Sequence, residues 1–168
     1  DKLMGIDEIT EKENVEKYLE RFQLAISKGE INECITIARE GVKEYPNSFV
    51  LLDKLMYALF ASGDDDGNIP EWKENMKKYD DEITALGERI MKYCPDQNIR
   101  LEATARLAFN HCCQGRKEIG KKIYATLPPM KLCRENRIWW SLEKDEKLPF
   151  LQNAIMESYR YLSSFIWL

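Results

Sequence analysis

Residues 32–47, NECITIAREGVKEYPN, and residues 81–96, DEITALGERIMKYCPD, can be laid on each other with Pro46 on Pro95. In that register Ile37 falls on Leu86, Ala38 on Gly87, Lys43 on Lys92 and Asn47 on Asp96. Each stretch reads as a helix with one apolar face. In the first, Ile31, Ile35, Ala38, Val42 and Tyr45 recur at three- and four-residue spacing. A proline closes each stretch, because it cannot continue the hydrogen-bond ladder. Asn47 or Ser48 in one case and Asp96 in the other then stands where the next helix needs an N-cap. The small residue in mid-helix has a physical role, since two helices approach closely only where a side chain is short. Ala25, Ala38, Gly87, Ala108 and Gly120 are the candidates for such contacts.

Working outward, the same periodicity continues. Val15, Leu19, Phe22 and Ile26 form a stripe ended by Gly29, and Val50, Leu52, Leu55, Met56, Leu59 and Phe60 form one ended by Gly63. No stretch alternates apolar and polar residues long enough to read as a strand. SKGEINECI at 27–35 and QGRKEIGKK at 114–122 align when Gly29 is placed on Gly115, and Gly63 follows Gly29 by 34 positions.

A helix pair of about 34 residues is the tetratricopeptide period. Residues 13–129 resemble a degenerate array of that kind, with Phe22 standing where the first unit should have a small residue. The expected fold is therefore all-α: a right-handed array of about three helix hairpins, with residues 130–168 as C-terminal capping or oligomerisation helices. An insertion at 64–80 separates the helices of the second unit. Its Gly, Asp, Asn and Pro predict a loop to residue 70. Glu71–Tyr79 then predict a helix running on into 81–93. A helix over 131–143 carries Ile138, Trp139, Trp140 and Leu142, and a last one starts near Leu148.

Composition narrows the function. Charged residues make up 32% of the chain and the net charge is −4, which argues against direct binding to nucleic acid, because phosphate contacts need a basic face. The apolar runs are too short to span a membrane. Five cysteines without a C-x-x-C pair fit reduced thiols in the cytoplasm better than a disulfide framework or a zinc knuckle. Asp64, Asp66 and Gly67 fail as a calcium loop because Ser62 and Lys73 occupy its end positions. His111-Cys112-Cys113 are adjacent on a helix and point apart, so they do not converge on a metal. Glycine-rich phosphate loops are absent, and Lys77-Lys78, Arg116-Lys117 and Lys121-Lys122 are balanced by neighbouring acids. No catalytic, cofactor-binding or metal-binding set emerges, so the reading is a binding protein and not an enzyme.

Such arrays present the first helix of each unit to a concave groove. That places Gln23 and Ile26, then Val50, Asp53, Tyr57 and Phe60, then Glu102, Ala105, Phe109 and Cys112 on the binding face, with Asn110 a further polar candidate. Tyr57, Phe60 and Phe109 are expected to form an aromatic floor for a short peptide or a partner protein. The alternative occupant is the chain's own C-terminal helix.

The opening DKLMGID, residues 1–7, reads as a last helical turn stopped by Gly5 and followed by a polar linker. Asp1, Leu3, Met4 and Gly5 are similar to the turn that closes the DNA-binding domain of XRE-type (repressor-like) helix-turn-helix regulators. Residues 81–109 and 128–147 resemble helical repeats carried C-terminally in that family. The resemblance implies that residues 1–12 are the end of a helix-turn-helix domain plus linker. It also implies that the rest is a sensing or oligomerisation half, with DNA contacted only through a domain outside this chain. The alternative is a tetratricopeptide scaffold with no DNA-binding role. Repressor-like proteins bind two half-sites and need two-fold symmetry. Leu148, Leu151, Ile155, Leu162 and Phe165 line one face of the last helix, interrupted by Ser158. Met156, Tyr159, Ile166 and Trp167 widen that face. The expected homodimer interface is Leu151, Ile155, Tyr159, Leu162 and Ile166.

Overall fold

A computed structural model of the 168-residue chain describes residues 2–64, 69–128 and 144–163, the first nine of these by backbone alone. Every regular element among them is a helix: α1 Lys2–Ser27, α2 Ile31–Glu44, α3 Phe49–Ala61, α4 Trp72–Lys78, α5 Asp80–Tyr93, α6 Gln97–Cys113, α7 Lys117–Tyr124 and α8 Lys144–Ser163. The first seven belong to one compact unit, Asp1–Leu127, and α8 to a second, Pro128–Leu168. The expected helix over 131–143, with Cys133, Trp139 and Trp140, lies outside the described residues, as do Ile166 and Trp167.

In the first unit α1 packs on α2, α2 on α3, α5 on α6 and α6 on α7, while α3 skips the short α4 to pack on α5. Side-chain pairs fix the direction of α2 against α1: Asn14 reaches Tyr45, Tyr18 donates to Glu44, Arg21 pairs with Glu40, and Cys34 Sγ meets the Phe22 carbonyl. The numbers run in opposite senses, so the helices are antiparallel. The turn between them needs a left-handed residue, supplied by Gly29 at φ +73°, and Gly115 at φ +79° does the same between α6 and α7.

Helix α3 is the hub, packed on α1, α2, α5 and α6. Its sequence, FVLLDKLMYALFA, is apolar nearly all round, as a helix enclosed by others must be. Leu51, Leu52, Leu55, Met56, Ala58 and Leu59 are all buried. Around them sit Phe22, Cys34, Ile37, Ile83, Ile90, Ala103 and Leu107. The small residues fall at the close approaches. A Cβ on Gly87 would lie 3.0 Å from Met56 and 3.2 Å from Leu107, and one on Gly120 would lie 2.6 Å from the Ala108 carbonyl oxygen. Ala25, Ala38 and Ala108 are buried as well. Phe22 is accommodated because its ring meets Tyr57 edge-to-face at 6.4 Å.

The two prolines align stretches whose successors start differently. Asp96 caps α6, its carboxylate accepting from the backbone N–H groups of Asn98 and Ile99. Asn47 makes no cap. Its side-chain oxygen accepts from Arg89 of α5 at 3.1 Å, and Ser48 takes the cap position without a side-chain bond.

Two local expectations are corrected. Gly5 does not stop a helix, since α1 runs through it from Lys2. A single interior glycine costs only about 1 kcal/mol, and the Glu- and Lys-rich residues after it favour helix. The insertion helix does not run straight into the next one. It breaks at Tyr79, whose backbone sits at φ −100°, ψ 4°. Hydrogen bonds continue on both sides, from Tyr79 N–H to the Asn75 carbonyl and from Ile83 N–H to the Tyr79 carbonyl, so the chain bends there and the Tyr79 ring is buried.

Candidate functional site: an ionic and aromatic face ending in a pocket

The side of α3 that faces α6 carries two groups of side chains. The first is built on Asp53, which is 4% exposed. A buried carboxylate must be paired, and Arg106 of α6 pairs with it while also binding Glu102 one turn earlier. Lys54 adds a longer contact at 3.5 Å. The Arg106 guanidinium lies 5.4 Å from the Tyr57 ring centroid, and Tyr57 in turn meets Phe22. Asp53, Tyr57, Glu102 and Arg106 thus form one layer across α3 and α6, backed by α1. Gln23 of α1 is exposed.

The second group lies one turn further along both helices. Phe60 and Phe109 meet edge-to-face at 5.6 Å. They line a cavity of about 190 Å³ together with Leu59, Gly63, Trp72, Met76, Ile83 and Cys113, and with Asp64 and Asn110 as its polar members. Tyr57 therefore pairs with Phe22 and Arg106, and the expected single aromatic floor is resolved into two layers. Helix α4 supplies one wall of the cavity. It is fastened by Gln114, donating to the Met76 carbonyl at 2.6 Å, and by Asn75, donating to the Ser62 carbonyl at 3.1 Å.

Cys112 stands elsewhere, while Asn110 lines the cavity and turns its amide to a partner behind it. Cys112 Sγ is the nearest atom to Gly120, so it faces α7, and Cys113 takes the cavity position. Desolvation pushes the Cys113 thiol up, and Cys112 and Asp64 add to the shift. The Asn110 side chain donates to Asp80 at 2.7 Å. Asp80 also receives both ends of the Arg116 guanidinium, at 2.7 and 2.6 Å, and Arg116 Nε donates to His111 Nδ1 at 2.8 Å. This network ties the start of α5 to the α6–α7 turn. Arg116 holds the Asp80 carboxyl below its ordinary value, while burial and then Arg116 push the His111 imidazole down. No sequence pattern announced it, since its members are up to 36 residues apart.

On α8, Leu151, Ile155, Tyr159 and Leu162 of the expected interface are all exposed. Among the described residues no group of three His, Cys, Asp or Glu side chains could hold a metal ion, and no helix is long and apolar enough to cross a membrane. Comparison of the chain with protein-family models, with curated proteins and with solved structures gave no match.

Proposed function

We propose that this chain is a protein- or peptide-binding domain of tetratricopeptide-like build, serving as the regulatory half of an XRE-type helix-turn-helix transcription regulator. Support for the array comes from the antiparallel pairs, the left-handed glycines at corresponding turns and the small residues at the close approaches. The observation that carries the binding role is the face on α3 and α6, where Tyr57, Arg106 and Phe109 are gathered on helices of successive units. Arg106 and the aromatic rings are the side-chain types that dominate binding energies at protein interfaces. Regulator identity rests on the sequence likeness of Asp1, Leu3, Met4 and Gly5 and of residues 81–109 and 128–147. A helix-turn-helix pattern in the reading frame upstream of Asp1 is the expected result, and its absence returns the scaffold alternative.

Binding is tested by calorimetry against short peptides secreted by the source organism. Tyr57→Ala is expected to weaken a bound peptide by about 1–3 kcal/mol. An unchanged affinity would remove this face from the reading. The homodimer is proposed through α8, because Leu148, Ile155 and Leu162 recur every seven residues beside Leu151 and leave a coiled-coil-like seam. Light scattering at tens of micromolar, where stable dimers are formed, should give twice the chain mass. A monomer defeats the dimer, and a dimer that survives Ile155→Glu with Leu162→Glu defeats this interface.

A further inference from the structure

The cavity at the α3–α4–α6 corner has a size and lining that narrow what it holds. Its volume of about 190 Å³ is below the range of pockets that take small-molecule ligands, about 300–1,000 Å³. It exceeds the ~150 Å³ apolar cavity that accepts a benzene ring. The room is that of one ring. The walls suit one as well: Phe60, Phe109 and Trp72 bring three aromatic side chains and Met76 a thioether, which makes favourable contacts with aromatic groups, while Asp64 and Asn110 add two polar groups to a lining that is otherwise mostly apolar. Phe109 is 45% exposed at the mouth.

The cavity also continues a surface. Phe60 is three residues beyond Tyr57 on α3, and Phe109 three beyond Arg106 on α6, so helical periodicity places the two layers one turn apart on the same side. An extended chain crossing the Asp53–Arg106–Glu102 layer would meet the cavity next. The lining is fixed in place, not formed by chance. The Met76 backbone packs so closely on Gly63 that a Cβ there would lie 3.0 Å from the Met76 Cα, and α4 is tied at Met76 by Gln114 and at Asn75 to the Ser62 carbonyl. The insertion thus gives the second unit a wall that the first unit lacks.

We propose that this cavity seats one aromatic side chain of an extended partner polypeptide lying along the α3–α6 face. The inference rests on the peptide-binding reading above and adds its anchor. Selectivity would come from the fit of a single ring, with the exposed Glu102 carboxylate of the layer next to it placed to accept a backbone N–H of the bound segment.

The test uses the full chain with labelled methionine, leucine and isoleucine methyl groups, titrated with N-acetyl-L-phenylalaninamide, N-acetyl-L-alaninamide and toluene. The phenylalanine amide and toluene are expected to shift the Met76, Leu59 and Ile83 methyls, and the alanine amide to leave them unmoved. Random 12-residue peptides selected on the protein should then share an aromatic residue. Its replacement by alanine should cost about tenfold or more in affinity on the parent, as a hot-spot residue does, and under twofold on Phe109→Ala. Phe109→Leu, which keeps an apolar wall, should bind better than Phe109→Ala, and circular dichroism checks that both variants fold. Silence of those methyls toward both ring probes would overturn the proposal. So would a response to toluene alone, which would mark a void closed to a ring borne on a chain. Selected peptides that move methyls near Tyr57 but not Met76 or Ile83 would overturn the anchor while leaving peptide binding standing.

Discussion

Replacing Gly120 by alanine tests how tightly α7 is held on α6. Gly120 is buried, and a Cβ there would lie 2.6 Å from the Ala108 carbonyl oxygen and would overlap Cys112 Sγ. Ordinary Cβ contacts begin at 3.4 Å. The sulfur can swing aside, but the carbonyl belongs to the α6 backbone and cannot. Helix α7 must therefore back away by most of an ångström, which loosens the packing that half-buries Ile123 and strains the Arg116–Asp80 bonds at its N-terminus. Overpacking of this kind costs about 1–3 kcal/mol, and backbone is on the receiving side, so the upper half of that range applies. Against it stands the gain from replacing a helical glycine, about 1 kcal/mol. The net expectation is a loss of about 1–2 kcal/mol in urea unfolding followed by circular dichroism. Adding Cys112→Ala should recover only part of the loss, because it removes the sulfur and leaves the carbonyl. Gly41→Ala is the control. Its new methyl meets only side chains, Leu51 at 3.1 Å and Tyr18 at 3.2 Å, and should cost far less. A Gly120→Ala protein as stable as the parent would refute the α6–α7 contact.

Two further outcomes follow from the polar contacts. Arg106→Ala should destabilise the fold by about 3 kcal/mol, since it leaves Asp53 buried without its main partner, whereas the double change Asp53→Leu with Arg106→Met should restore much of that loss in the same unfolding assay. Acidification should weaken the protein in two steps: His111 is held below its ordinary value of 6.5 and Asp80 below 3.8. As pH falls through 6.5 the unfolded chain takes up a proton that folded His111 refuses, and below 3.8 the same holds for Asp80, so stability is present above each value and lost beneath it. His111 is the only histidine in the chain, so melting temperatures between pH 7.5 and 5.5 should fall for the parent and stay flat for His111→Gln; a flat parent profile would count against the buried imidazole.

Helix identity was legible in the sequence because periodicity and proline punctuation report local physics. Residues 31–44, 49–61, 81–93 and 97–113 obey it, and the small residues marked the close approaches. What the sequence left hidden was of two kinds. One is a local choice between nearly equal states. No proline or glycine marks the bend at Tyr79, and Gly5 marks a stop that its helix-forming neighbours override. The other is pairing at a distance. Asp53 reads as the wet position of a groove until Arg106, 53 residues later, is seen to bury it. The Asp80–Arg116–His111 set is hidden for the same reason. A one-residue difference, about 100° around a helix, separates Cys112 against α7 from Cys113 in the cavity, and repeat counting has no such angular resolution.

Gly63 shows how a matching spacing can arise from a different cause. It follows Gly29 by 34 positions, and the repeat reading gives both the same task. Gly29 and Gly115 do share one: each has positive φ, and nothing lies within 4 Å of where a Cβ would be. Their requirement is conformational. Gly63 has no positive φ, and its missing Cβ leaves room for the Met76 backbone. Its requirement is steric and exists only because of the insertion. The chain therefore departs here from the Gly29 and Gly115 turns, where a left-handed glycine brings it straight back. Instead α4 stands between α3 and α5, lying against the end of α3 at Gly63 and bending at Tyr79 into α5. That detour brings Trp72 and Met76 beside Phe60 and Phe109. An insertion that merely lengthened a loop would need neither a glycine under Met76 nor two side-chain amide bonds fastening α4. Those three features have one geometric consequence in common, the walled cavity at the end of the ionic face.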